Sequence, residues 1–255
     1  MVGNQPNQLQ VSGVTYQYRT SRANALDVDC TFDSGRTIIL GPNGAGKSTL
    51  FGLCSNRLRL QLGTVTLQLR NHTLESPSRD YRAEIGAMQQ SPAFIKGLTT
   101  SDFLVYAAWL AGLDLATAKK ATELWLNRVN LVKQSDTRCH ELSGGMQRRL
   151  AFAAASIHEP SVLLLDEPTA GLDPLERSAF REVITSFSSE AIVLIATHQI
   201  DDLDLVADKI AVLSNGHMVF HDSVTAFLSL ADPALQPLAQ AEAAYATVIR
   251  RGMPS

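Results

Sequence analysis

Cysteine is scarce in this 255-residue chain, and long apolar runs are missing altogether. The three cysteines, Cys30, Cys54 and Cys139, are odd in number and scattered, with no Cys-x-x-Cys pair. That argues against a disulfide scaffold or a thiolate metal site and suits thiols kept reduced. No apolar stretch approaches the roughly 18 residues that a membrane-spanning helix needs. The longest, such as Val162 to Leu165 and Ala191 to Ala196, have strand length. No basic-then-apolar leader opens the chain, which argues against secretion. Nor is there an excess of basic charge: a formal net charge of −3 offers nothing to wrap nucleic acid. The expectation is a soluble cytoplasmic protein, acting at a membrane only if a partner recruits it.

What is present is an ordinary globular composition, 45% hydrophobic and 18% charged, in a length that can bury one large domain or a core with a subdomain. Leu9 to Tyr18 and Val65 to Leu69 alternate apolar with polar residues and predict half-exposed antiparallel strands. Thr37 to Leu40, Val162 to Leu165, Ile192 to Ala196 and Lys209 to Leu213 are near-continuous apolar runs, as buried parallel strands are. Helical patterns lie between them. In the clearest, Asp173 caps, Pro174 takes the first helical position, and Phe180, Val183, Ile184 and Phe187 line one face. Strands alternating with helices predict a parallel α/β sheet. From Ser101 to Val132 the strand signal disappears. Phe103, Tyr106, Ala107 and Leu110, then Ala121, Leu124, Trp125 and Val129, fall at helical spacing and predict an all-helical insertion. The alanine-rich end of the chain predicts a further helix over Leu238 to Arg250.

The chemistry starts at GPNGAGKST: Gly41, Pro42, Asn43, Gly44, Ala45, Gly46, Lys47, Ser48 and Thr49. Glycines between an apolar strand and a helix let backbone N–H groups close around phosphate oxygens. Lys47 then reaches the β/γ-phosphates, Ser48 takes Mg2+, and the helix dipole favours the anion. Composition alone yields this pattern in about 1% of chains of this length, and the strand–loop–helix context makes chance rarer still. Asp166 ends the run Val162 to Leu165, so a carboxylate stands at the sheet edge beside the loop as a second Mg2+ ligand. Glu167 follows and can polarise a water. The stretch LSGGMQRR, from Leu142 to Arg149, reads as a helix start with Ser143 as N-cap and open backbone N–H groups at Gly144 and Gly145. Arg148 and Arg149 read as a solvated helix face.

Phosphate loop, then LSGGM, then LLLDEP, in that order, resembles the ATP-binding cassette (ABC) family, and the resemblance covers essentially the whole chain to about Ser223. It implies an α/β fold: a P-loop NTPase (RecA-like) parallel-sheet core with an antiparallel β subdomain and an inserted α-helical subdomain. Residues 1–225 would form one ATPase domain, with the insertion at about 91–140, and 226–255 a helical C-terminal tail. It further implies that Ser143, Gly144, Gly145 and Met146 complete the ATP site of a second copy, and that Asp173, in TAGLDP, belongs to a loop crossing the dimer interface. IGAMQQSP is similar to the family's Q-loop, with Gln90 in its position as a further Mg2+ or water ligand. His198, in IATHQIDD, matches the family's switch histidine at the γ-phosphate, and Tyr18 its adenine-stacking aromatic, with Tyr16 as a neighbouring alternative.

The activity implied is Mg-ATP hydrolysis, with Lys47, Glu167 and His198 as the catalytic set. ATP and Mg2+ would be bound at the cytoplasmic face of a membrane. The partners would be a membrane-spanning transporter subunit and a second copy of the chain or a related ATPase subunit, with no nucleic acid. The docking face for the membrane subunit would lie around Ser91 to Asp102, where Phe94, Ile95 and Leu98 are apolar. Glu242 to Tyr245 faintly resembles the closing segment of drug and antibiotic exporter ATPases, which favours export. A soluble ABC ATPase acting on nucleic acid or ribosomes is the alternative, weakened because one cassette and no heptad run are present. An importer ATPase is the other.

Overall fold

The computed structural model describes residues 7–19, 25–201 and 207–252. Asp202, the last residue of IATHQIDD, and residues 253–255 of the tail lie outside these. Two sheets organise the chain. The smaller is antiparallel, in the order β2 (Leu26–Asp33), β1 (Gln8–Tyr16), β4 (Leu62–Leu69), β5 (His72–Glu75). The larger runs β10 (His217–Ser223), β9 (Lys209–Ser214), β3 (Gly35–Leu40), β8 (Ile192–Thr197), β7 (Val162–Asp166), β6 (Ile85–Met88). It is parallel except for the β9–β10 hairpin at its edge.

Why the central strands are apolar throughout follows from where alternate residues go. Successive strand side chains point to opposite faces, and here both faces are covered. Ile38, Leu40, Leu163, Leu165, Val193 and Ile195 pack on one side with the helices α4 (Leu115–Arg128), α5 (Gly144–Ser156), α6 (Pro174–Thr185) and α8 (Pro237–Arg251). Ile39, Val162, Leu164, Ile192 and Leu194 pack on the other with α1 (Lys47–Cys54) and the antiparallel sheet. In β4 only one face is covered, so Val65 and Leu67 are buried while Thr64 is exposed.

Between β5 and β6 runs the short helix α2 (Arg79–Ala83), and after β6 comes the helical insertion with α3 (Thr100–Leu110) and α4. Its two ends meet: Thr100 N–H donates to Thr137 O at 2.9 Å and Cys139 N–H to Leu98 O at 3.1 Å. An aromatic cluster locks it to the core, with Trp125 of α4 6.0 Å from Phe152 of α5, and Phe152 5.7 Å from Phe180 of α6. The buried face of α3 differs from expectation. Leu104 and Ala108 are fully buried, whereas Tyr106 and Leu110 are exposed. Toward the C-terminus, the short helix α7 (Val224–Leu228) leads to α8, whose Ala241, Ala244 and Val248 enter the core.

Candidate nucleotide site

β3 delivers the phosphate loop to the carboxyl edge of the parallel sheet, where β7 and β8 also end. Gly46 makes the transition into α1 with φ of 107°, and Ala25 O lies 2.8 Å from where a Cβ would sit. A side chain there meets both a strained backbone and a clash. Lys47 is buried and folds back along the loop, its Nζ donating to Gly41 O at 2.5 Å and Pro42 O at 3.2 Å. Burial lowers its pKa, and the carboxylates of Glu167 and Asp166 oppose that shift.

The loop opens on a cleft of about 650 Å3 lined by Tyr18, Ala25, Asn43 to Thr49, Gln90, Asp166 and Glu167. Tyr18 follows β1, which ends at Tyr16, so it stands in a loop and not at the strand's last position as its sequence suggested. Its hydroxyl lies 3.0 Å from Thr49 Oγ1 and its ring packs edge-on against Tyr16. Of the two adjacent glutamines, Gln90 faces this cleft while Gln89 lines a separate one with Arg57.

Asp166 is the last residue of β7 and is buried. Burial raises its carboxyl pKa, with the Ser48 hydroxyl, Arg57 and Lys47 opposing. Its Oδ1 is buried and has no hydrogen-bond partner. A buried, unpartnered carboxylate oxygen beside a loop hydroxyl suits a hard cation with oxygen ligands, and Asp166, Ser48 and Gln90 are the oxygen donors at hand. Glu167 has φ of 48°, a conformation sparsely populated by residues with a Cβ, and strain of this kind concentrates at functional sites. Its side chain is held from two sides. His198 Nδ1 lies 2.8 Å from Oε1, and the Thr197 hydroxyl donates to Oε2 at 3.4 Å. In its Nδ1–H form the imidazole donates to this carboxylate.

The signature residues do not line this cleft. Ser143 caps α5, its Oγ accepting from Met146 N–H at 3.3 Å. Gly144 and Gly145 open the helix, and a Cβ on Gly145 would collide with the Glu176 carboxylate. Glu176 itself is held at the start of α6, where its N–H donates to the capping Asp173 Oδ1 at 2.8 Å. Two residues emerge that sequence reasoning missed. Thr197 is a hydroxyl at the end of a buried apolar strand, and that contrast was its signal. Arg148, expected on a solvated face, instead reaches the backbone of Glu167 and Ala170. Arg149 likewise turns inward, donating to Val129 O at 3.0 Å.

A phosphate loop at the end of β3, Asp166 and Glu167 at the end of β7, His198 after β8 and a capped LSGGM helix define an ATP-binding cassette. The ABC transporter family model matches residues 26–170, and the chain belongs to that family. Over 213 residues it is 33% identical to the daunorubicin/doxorubicin resistance ATP-binding protein DrrA of Streptomyces peucetius, covering 83% of this chain and 64% of DrrA. The uncharacterized ABC transporter ATP-binding protein YxlF of Bacillus subtilis is 34% identical over 71% of this chain and 59% of its own length. Among solved structures, cbiO1 from Clostridium perfringens, part of the ABC transporter complex cbiONQ, superposes with a TM-score of 0.74 at 30% identity, covering 87% of this chain and 90% of that one. The chain spans only 11% of the rat phospholipid-transporting ATPase ABCA3, to which it is 32% identical over 71% of its own length. The fold expected from the sequence, a P-loop NTPase core with an antiparallel β subdomain and an inserted helical subdomain, is the fold observed. No helix among the described residues is long and apolar enough to cross a membrane.

Proposed function

We propose that this chain binds and hydrolyses Mg-ATP as the nucleotide-binding subunit of an ABC transporter, at the cytoplasmic face of the membrane. The observation that carries the reading is the convergence of Lys47, Ser48, Asp166 and Glu167 on one cleft while Ser143 to Met146 stay outside it. Beyond capping α5, a signature with no access to its own cleft is free to face another copy's ATP. Two copies would then enclose two nucleotides, each phosphate loop opposite the other's LSGGM, with Asp173 at the crossing between them.

Phosphoryl transfer to water needs positioning and charge neutralisation more than covalent chemistry. A β/γ-phosphate would compete for Lys47 with the Gly41 and Pro42 carbonyls. Asp166, Ser48 and Gln90 would hold Mg2+, which neutralises phosphate charge when bound. Glu167 would take the proton of the attacking water, and His198 fixes its carboxylate. Tyr18 offers a ring face to the base.

The membrane subunit would dock where the Q-loop meets the helical insertion. A groove of about 250 Å3 lies there between Pro92, Phe94, Phe103, Ala107, Ala151 and His158, and Ile95, next to Phe94 in sequence, is exposed. Export is the direction we favour, because relatives named for daunorubicin/doxorubicin and linearmycin resistance match most of the chain. The test is Glu167→Gln. It should stop phosphate release, keep ATP affinity, and run as a dimer on size exclusion with Mg-ATP and as a monomer without it. A monomer at every ATP concentration would overturn the two-copy site, and unchanged turnover would overturn Glu167 as the base.

A further inference from the structure

Arg148 sits one turn beyond the capping Ser143, on the helix that begins with the signature. Its part-buried guanidinium forks: Nη1 donates to Glu167 O and Nη2 to Ala170 O, each at 3.3 Å. Those carbonyls bound a single turn, since Ala170 N–H also donates to Glu167 O, at 3.2 Å. The turn begins at the residue with φ of 48°, so its backbone is held in place by surroundings and not by local preference. A planar five-donor group can satisfy two carbonyls at fixed separation, which an ammonium cannot do equally well. The same helix is also fitted to the start of α6, where the Glu176 carboxylate lies against Gly145 with no room for a side chain.

We propose that Arg148 is a positioning residue that ties the signature helix to the backbone of Glu167 in the same copy. This rests on the ATPase reading above and deepens it. The helix whose N-terminus serves the partner's nucleotide also sets the aim of its own copy's base, so closure at one ATP site is felt at the other. Neither the phosphate loop nor the Mg2+ donors touch Arg148 among the described contacts, so its loss should leave nucleotide binding intact.

The experiment uses the full chain and compares wild type, Arg148→Met, which keeps the aliphatic stem, and Arg148→Lys. With Arg148→Met, kcat should fall about 10-fold or more, consistent with partial loss of a general-base effect of 10²–10⁴. ATP affinity should stay within about 2-fold and melting temperature should be little changed. Arg148→Lys should recover part of kcat, because one of the two bonds can re-form. On the slow residual single-turnover rate of Glu167→Gln, measured over long incubation, adding Arg148→Met should cause no further loss, the signature of two residues acting as one unit. Wild-type kcat in Arg148→Met overturns the proposal, as do losses that simply multiply in the double variant. A parallel fall of affinity, stability and turnover overturns it too, in favour of a role in folding alone. A wild-type chain without Mg-dependent hydrolysis would instead remove the ATPase reading on which the proposal stands.

Discussion

The nucleotide cleft and the helical insertion are held in place by opposite means. In the cleft, polar and charged side chains are buried: Lys47, Asp166, Glu167 and Thr197 are all nearly inaccessible, with Lys47 held by backbone carbonyls and Glu167 by Thr197. In the insertion, charged groups are outside, Thr100 and Thr122 are the buried polar residues among those described, and the large apolar side chains are divided. Trp125 is 2% exposed within the aromatic cluster, while Trp109 on the neighbouring helix is 59% exposed. Burying charge is costly unless a ligand or partner will use it, so the cleft gives up stability for chemistry. The insertion buries no charge, and it leaves Tyr106, Trp109 and Leu110 exposed as an apolar surface.

Breaking the cleft should therefore cost activity and not fold. Lys47→Ala should reduce phosphate release by a factor on the order of 10²–10³, by analogy with losing one preorganised electrostatic donor, with circular dichroism unchanged. Near-wild-type turnover in a preparation free of contaminating ATPase would refute its role. The two-copy arrangement sharpens this further. Ser143→Arg places a bulky cation at the signature and should be inactive alone. Mixed with Lys47→Ala, it should regain up to about half of wild-type activity per dimer if the sites act independently, because one intact loop then faces one intact signature. Wild-type activity of Ser143→Arg alone would reduce the signature to a helix cap.

The insertion should respond in the reverse manner. Trp125→Ala should cost about 3–5 kcal/mol of stability in chemical denaturation, whereas Trp109→Ser should stay within about 0.5 kcal/mol. Similar costs at the two positions would remove the distinction between the packed and the exposed faces of the insertion. Smallest is the effect at Asp166. Its pKa is raised on folding, so its contribution is present below the unfolded pKa and lost as pH rises through the folded value. Ionised at neutral pH, it opposes folding of the ligand-free chain. Asp166→Asn should thus raise the ligand-free Tm by on the order of 2 °C at pH 7, with the gain vanishing as pH falls through the carboxylate range. The same variant should lose stabilisation by Mg-ATP.

The comparison also explains what could be read in advance. Buried parallel strands announce themselves as short apolar runs, and GPNGAGKST with LLLDEP places the cleft at their ends before any coordinates are known. The insertion reads poorly because SDFLVYAAWL is apolar almost all round, so spacing pointed to Tyr106 and Leu110 when contacts had selected Leu104 and Ala108. Strand β6 is four residues with a glycine, IGAM, and merged with the loop after it. β2, whose outward face carries Asp27, Asp29 and Thr31, was not recognised as a strand, and neither were β5 and β10. For Arg148 the sequence suggests a solvated face, and the structure differs because two carbonyls on a distant turn leave no mark in the sequence.

The strand that carries the phosphate loop is made early and completed late. β3 pairs only with β8 and β9, both of which lie near the far end of the chain. The Gly216 amide in the β9–β10 turn then donates to Ala45 O at 2.9 Å, bracing the loop from beneath. During synthesis, β3 therefore lacks both strand partners until Ile192–Thr197 and Lys209–Ser214 have been made, although Ile39 can already pack on α1 and the antiparallel sheet. The loop that would hold nucleotide is thus completed only when the turn after β9 is in place, about 170 residues of sequence away from it.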